Sequence, residues 1–102
     1  MKLIIKEIGR DKPVKVWMLY WEDNKRFHMV VPYEGYEGLI ILSHDQVEII
    51  DPSVNDFTLK KDDYGGEVLI HNLVNNGDLI YKMIDHDAEA MKEFERRLAV
   101  YE

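Results

Sequence analysis

The sequence contains no cysteine and few aliphatic hydroxyl groups, which leaves little for nucleophilic chemistry. Disulfides, thiolate nucleophiles and cysteine-based zinc or iron–sulfur sites are excluded. The hydroxyl groups are those of Ser43, Ser53 and Thr58. Ser43 is followed by His44 and Asp45, but three consecutive residues cannot converge as the members of a catalytic triad do. We therefore predict no catalytic residue, no cofactor and a non-enzymatic protein.

Long hydrophobic segments are also absent. The most apolar runs, residues 16–21 and 39–42, are far shorter than the roughly 20 residues that span a bilayer as a helix. The apolar run at residues 3–5 ends at Lys6, whereas a secretory signal has an apolar stretch of roughly 7–15 residues. We expect a cytoplasmic protein that makes no membrane contact.

Basic residues are missing from the middle of the chain. No Lys or Arg occurs from Phe27 to Leu59, and the net charge of the whole chain is −7. Residues 1–31 carry seven basic and four acidic side chains, so the acidic excess lies in the remainder. An acidic chain repels phosphate backbones, which argues against direct nucleic-acid binding. Attraction to a basic partner is one interpretation, and a solubilising surface is the other.

The N-terminal half has the pattern of a β-hairpin. Residues 14–22 and 26–31 are predicted strands joined at Asp23-Asn24, because Asp and Asn tolerate the left-handed backbone of tight turns. This turn pairs Glu22 with Lys25 and Trp21 with Arg26. The register then divides the side chains between two faces. One face holds Val14, Val16, Met18, Tyr20, Phe27, Met29 and Val31, and the other holds Lys15, Trp17, Leu19, Trp21, Arg26, His28 and Val30.

Further strands are predicted at residues 2–8, 39–42, 47–50, 57–61, 67–74 and 79–85. Residues 39–42 and 47–50 form a predicted hairpin, although Ser43 and Gln46 also match a capping box, so residues 44–51 could instead begin as a short helix. Asn76-Gly77 suits a type I′ turn and predicts a hairpin in which Ile70 pairs with Met83 and His71 with Lys82.

The C-terminal segment is predicted to be a helix over residues 88–101. Met91, Phe94, Leu98 and Tyr101 recur at spacings of three and four residues, which places them on one helix face. Asp87 precedes the helix and suits its N-cap. The helix is therefore expected to lay this face on the sheet or to plug an open barrel end.

The fold class predicted is α+β and mainly β, with one domain over residues 1–102. About seven or eight antiparallel strands form a meander or partly open barrel that one amphipathic C-terminal helix closes. This order resembles the pleckstrin-homology-like arrangement, and residues 38–43 followed by 47–50 are similar to a hairpin of such domains. The resemblance covers architecture alone. The predicted helix lacks the tryptophan usual there, and no early loop holds the Lys/Arg cluster of lipid-binding members.

Two further sets of residues are candidates for function. Asp85-His86-Asp87 is the densest polar triplet and, with His28 and His71, supplies ligands of the type that divalent metals accept. Local helix capping is the competing interpretation of the triplet. The face with Trp17, Trp21 and Arg26 has the residue types enriched at binding hot spots, unless the terminal helix or a closed barrel covers it.

The leading functional hypothesis is a protein-interaction module, such as a small acidic inhibitor or immunity-type protein that occludes a basic surface on a partner. The predicted contact residues come from the hairpin face and the loop that follows it: Trp17, Leu19, Trp21, Arg26, His28, Tyr33, Glu34, Tyr36 and Glu37. One alternative is a ligand-binding or metal-dependent enzyme that uses His28, His71 and Asp85-His86-Asp87. The other is a self-associating structural subunit, which is a homo-oligomer.

Overall fold

A computed structural model describes residues 3–61 and 66–101 of the protein. Its seven strands within those residues are β1 (Ile4–Glu7), β2 (Pro13–Glu22), β3 (Lys25–Val30), β4 (Ile40–Ser43), β5 (Val47–Asp51), β6 (Phe57–Lys61) and β7 (Glu67–His71). The helices are α1 (Asn72–Asn75), α2 (Leu79–Ile84) and α3 (Ala88–Tyr101). The predicted α+β class, antiparallel and mainly β with a C-terminal helix, is confirmed.

The strands form one antiparallel sheet that, in the described residues, is not closed into a barrel. Strand β2 is its centre. Strand β3 pairs along one edge of β2, while β1 and β7 share the other edge, at residues 13–15 and 18–20. Strand β4 pairs with β3, β5 with β1, and β6 with β7.

The first hairpin has the predicted turn and the predicted pairs next to it. Asp23 and Asn24 both have positive φ, 51° and 64°, as a two-residue turn of type I′ requires. Glu22 pairs with Lys25, and Trp21 pairs with Arg26. A two-residue loop therefore fixes the register at this end of the hairpin.

Farther along the hairpin the predicted division into faces is wrong, because β2 contains a bulge. Met18 pairs with Met29, but Val16 pairs with Val30, which leaves Trp17 as an extra residue on β2. The extra residue moves Val16 to the face of Leu19 and turns Trp17 to the face of Met18. Even-numbered residues of β2 before the bulge, such as Val16, therefore face the same side of the sheet as odd-numbered residues after it, such as Leu19.

Each face of the sheet has its own core cluster. The first joins the sheet to the helices and contains Trp17, Met18, Ile70, Met83 and Phe94 among its members. The second joins side chains of β1 and β5 to those of β2, β3 and β4, and consists of Leu3, Ile5, Val16, Leu19, Val30, Leu42 and Val47. Both faces of the first hairpin are thus covered by elements of this chain.

The predicted pairing of residues 39–42 with 47–50 is wrong. Both strands exist, but a 3₁₀ turn at His44–Gln46 separates them and sends them to different neighbours. The Ser43 N–H donates to Gln46 Oε1 at 2.8 Å, as in a capping box. Residues 44–46 therefore form the short helical turn that the capping box predicts, and residues 47–51 form a strand.

The predicted last strand over residues 79–85 is also wrong, since this segment is α2. The predicted type I′ turn at Asn76-Gly77 is not formed, because Asn76 has φ −65°. The left-handed residues are Gly77 and Asp78, at φ 71° and 56°, and they connect two helices. Ile70 accordingly pairs with Met18 and Thr58, and not with Met83. The hairpin of β6 and β7 is confirmed, and its turn residues 62–65 lie outside the described residues.

Helix α3 has the predicted bounds and the predicted cap. The Asp87 Oδ1 atom accepts hydrogen bonds from the backbone N–H groups of Glu89 at 2.9 Å and Ala90 at 3.2 Å. Met91 and Phe94 are buried against the sheet. In the part of the chain that is described, no helix has the length and apolar character to cross a membrane.

Candidate functional site

The predicted hairpin surface is divided by the fold. Trp17, Leu19 and His28 are buried, so they are not available to a partner in this structure. Trp21 is 46% exposed at the end of β2, and Arg26 is half-buried opposite it. The exposed part of that surface is thus reduced to the tip of the hairpin.

The surroundings of His28 are those of a neutral, buried histidine. Its Nδ1 lies 3.0 Å from the Leu42 carbonyl oxygen, which requires that Nδ1 carry the proton and donate. Burial lowers the pKa of His28, the bond to Leu42 offsets part of this effect, and the charges of Arg26 and His44 lower the pKa further. Arg26 itself donates to His44 Nδ1 at 3.0 Å. The hydrogen bonds of His28 and Arg26 described here are therefore made to other residues of the same chain.

The loop after β3, residues 33–38, is named the tyrosine loop here. Tyr33 and Tyr36 meet edge to face, with ring centroids 5.4 Å apart and planes at 86°. The Tyr36 N–H donates to the Tyr33 carbonyl at 3.2 Å and closes a turn through Gly35, whose φ is +92°. Tyr33 is 65% exposed, Tyr36 is half-buried, and the flanking Glu34 and Glu37 are exposed.

A contact with the turn between α2 and α3 holds the tyrosine loop in place. The Nδ1 of His86 donates to the Glu37 carbonyl at 2.7 Å. Gly38 is buried beneath the same imidazole, and a Cβ atom at Gly38 would lie 2.3 Å from Nδ1. His86 has left-handed backbone at φ 59°, which directs its ring at the loop. Two residues of the predicted polar triplet therefore have structural contacts. His86 holds the tyrosine loop through its hydrogen bond to Glu37, and Asp87 caps α3.

The tyrosine loop and α3 form the two walls of an open groove of about 770 Å³, named here the loop–helix groove. Tyr33 and Tyr36 line one wall, and Leu98 lines the other. The groove is also lined by Trp17, Met91 and Phe94. The rings of Trp17 and Phe94 meet edge to face, with their centroids 5.0 Å apart. The groove thus brings together three of the predicted contact residues, Tyr33, Glu34 and Tyr36, whereas Trp17, which also lines it, is buried.

The charged residues that line the groove are of both signs. Lys12 precedes β2 and Lys15 lies near its start, Glu34 comes from the tyrosine loop, and Glu95 comes from α3. Glu37 lies on the same loop and is exposed. The helical periodicity predicted that α3 would be buried on one face, but it gave no signal that Glu95 and Leu98 would line a groove. That outcome depends on how far apart the loop and the helix are held.

A second depression, of about 630 Å³, lies at the opposite end of the first hairpin. Tyr20 and Trp21 line it together with Lys60 of β6 and Tyr81 of α2. Lys60 is paired with Asp78 at 3.7 Å. Burial raises the pKa of Tyr20, and the Glu22 carboxylate adds to this effect. Trp21 therefore faces a different cavity from the one that Trp17 lines.

The histidines proposed as metal ligands have separate surroundings. The Nδ1 of His71 accepts from the Leu73 N–H at 3.0 Å, and its ring meets those of Trp17, Phe57 and Tyr101. Across residues 3–61 and 66–101, no three or more side chains of His, Asp or Glu are grouped so as to hold a metal ion. The metal hypothesis therefore gains no candidate centre from these residues.

Comparison of the chain with protein-family models, with curated protein sequences and with solved structures gave no match.

Proposed function

We propose that this protein is a non-enzymatic interaction module that binds a segment of a protein partner in the loop–helix groove. The observation that carries the proposal is the groove itself, because an open apolar channel with aromatic walls is costly to leave in water and is typical of binding surfaces. Tyrosine and tryptophan are also the residue types that contribute most at protein interfaces.

The charge of the chain supports a basic partner. The exposed side chains of Glu34 and Glu95 line the groove and Glu37 lies on the same loop, whereas Lys12 and Lys15 line the side next to β2. Residues 27–59 add no Lys or Arg to the surface. Complementary charge raises the rate of association and selects among partners more than it raises affinity. An acidic inhibitor that covers a basic surface fits this distribution.

Site-specific photo-crosslinking tests the proposal. A photoreactive phenylalanine analogue replaces Tyr33 in one variant and Leu59 in the control, since these residues are similarly exposed at 65% and 56% but Leu59 lies on β6, outside the groove. We expect a covalent adduct from position 33 in cell extract and none of the same mass from position 59.

Two alanine variants then separate the groove from the hairpin tip. Tyr36→Ala should abolish the adduct formed from position 33, whereas Trp21→Ala should leave it unchanged, because Trp21 faces the other depression. The reverse result would assign binding to the hairpin tip. An adduct of twice the mass of the chain would identify self-association instead.

A further inference from the structure

The loop–helix groove lies away from the outermost strands of the sheet, and residues 13–15 of β2, which pair with β1, are the strand backbone nearest to it. An extended peptide can join a sheet only at an edge strand, where backbone N–H and C=O groups are unpaired. The edge strands among the described residues are β4, β5 and β6, each of which pairs on one side only. None of the groove residues belongs to these strands. Most of the groove lining comes from side chains of the tyrosine loop and α3, which we expect to supply most of the contacts to an occupant.

The walls of the groove favour one backbone conformation in the occupant. Two tyrosine rings stand almost perpendicular on the exposed loop, and Pro13 and Pro32 line the groove beside them. Grooves lined by aromatic residues bind proline-rich segments in the polyproline II conformation, which has no internal hydrogen bonds and is already extended before binding. The ordering cost of such a segment is small, which suits a shallow, open channel.

The charges beside the groove indicate which residues flank that segment. Glu34 and Glu95 line the groove from opposite walls, and Glu37 follows on the same loop. An arginine or lysine next to the prolines would meet Glu34 on one wall or Glu95 on the other, at a distance from Lys12 and Lys15 on the β2 side of the groove.

We propose that the loop–helix groove binds a proline-containing segment in the polyproline II conformation that carries an adjacent Arg or Lys. This inference rests on the proposed function and adds the chemistry of the partner. The prolines pack on Tyr33 and Tyr36, and the basic residue pairs with Glu34, Glu37 or Glu95.

Titration of the isotope-labelled protein with three synthetic peptides tests the inference by nuclear magnetic resonance. The first peptide contains five prolines followed by two arginines, the second has two glutamates in place of the arginines, and the third is an alanine-rich helix former with two arginines. We expect the first to bind at least about tenfold more tightly than the second, and to shift the backbone amides of Tyr36 and Ala99. Tyr36→Ala should weaken it about tenfold or more, and the control Trp21→Ala should not.

Every other outcome overturns the inference. Equal affinity for the arginine and glutamate peptides, tighter binding of the helix former, or shifts outside the groove would each do so, and so would a lack of binding at millimolar peptide. Shifts that depend on protein concentration alone would identify a second copy of the chain as the occupant. If photo-crosslinking at position 33 captures a partner while the proline peptide fails, the inference falls and the proposed function stands.

Discussion

Replacement of Gly38 by alanine is expected to destabilise the protein more than an equivalent change elsewhere in the tyrosine loop. Gly38 has φ +135°, a region that L residues rarely adopt, which costs about 1–3 kcal/mol. The new Cβ would also lie 2.3 Å from the His86 imidazole, so the ring must move and its bond to Glu37 breaks. Loss of that hydrogen bond adds about 0.5–1.5 kcal/mol.

The sum is a loss of about 1.5–4.5 kcal/mol in the free energy of unfolding, a large part of the stability of a domain of this size. Urea denaturation followed by circular dichroism measures it. With an m-value of about 2 kcal/mol per molar, the midpoint should fall by about 1–2 M.

Gly35→Ala is the matched control for this experiment. Gly35 lies in the same loop at φ +92°, but a Cβ there would meet no atom within 4 Å. It should therefore show the backbone strain without the clash. Gly38→Ala should also cost about 1 kcal/mol less in a His86→Ala background, where the ring and its hydrogen bond are already absent. If Gly38→Ala costs the same in both backgrounds, or the same as Gly35→Ala, the contact of His86 with the tyrosine loop does not contribute to stability as we infer.

Three further predictions concern the cap, the core and the buried histidine. Asp87→Ala should lower the free energy of unfolding by about 0.5–2 kcal/mol through loss of the N-cap, whereas Asp85→Ala should change it by less than about 0.5 kcal/mol in the same urea experiment. Phe94→Ala should cost about 3–5 kcal/mol because Phe94 is buried against Trp17, and the 81% exposed Val100 is the control that should tolerate alanine. The pKa of His28 is lowered in the folded state, so the unfolded state binds more protons below about pH 6.5 and the free energy of unfolding should fall as the pH drops through that value. His28→Gln should remove this part of the pH dependence. An unchanged slope of stability against pH in the variant would contradict the prediction.

The parts of the fold that the sequence predicts correctly carry strong local signals. Helix α3 has a hydrophobic period sustained over four turns and a capping residue at Asp87, so its bounds agree with the structure. The Asp23-Asn24 turn likewise fixes the pairs beside it, because both residues accept positive φ. Elements of this kind are specified by residues that are close together in the chain.

The bulge at Trp17 has no such signal. Residues 16–21 are all apolar or aromatic, so no polar residue marks the point at which the alternation changes face. The segment 79–84 fails for a related reason. Leu79, Ile80 and Met83 are buried at helical spacing, but six residues are too few for a period to outweigh the preceding Asn76-Gly77 turn signal. Packing against the sheet decides both cases.

The candidate site was predictable only in part. The tyrosine loop could be identified from its composition, but its partner wall on α3 depends on His86 meeting Glu37 across 49 residues of sequence. No pattern in one sequence reports a contact of that range. The buried position of Leu19 has the same origin, since β1 and β5 supply the cover that the isolated hairpin lacks.

Strand β2 supplies side chains to both core clusters, and this has a consequence for how the protein unfolds. Its Trp17 and Met18 pack with the helices, while its Val16 and Leu19 pack with β1 and β5. Neither core cluster can come apart without disrupting β2, which the other cluster also needs. We therefore expect no stable intermediate in which one cluster is intact and the other is unfolded. Amide hydrogens of β1 and of the buried face of α3 should then exchange through one shared global opening, although the two elements contribute to different core clusters.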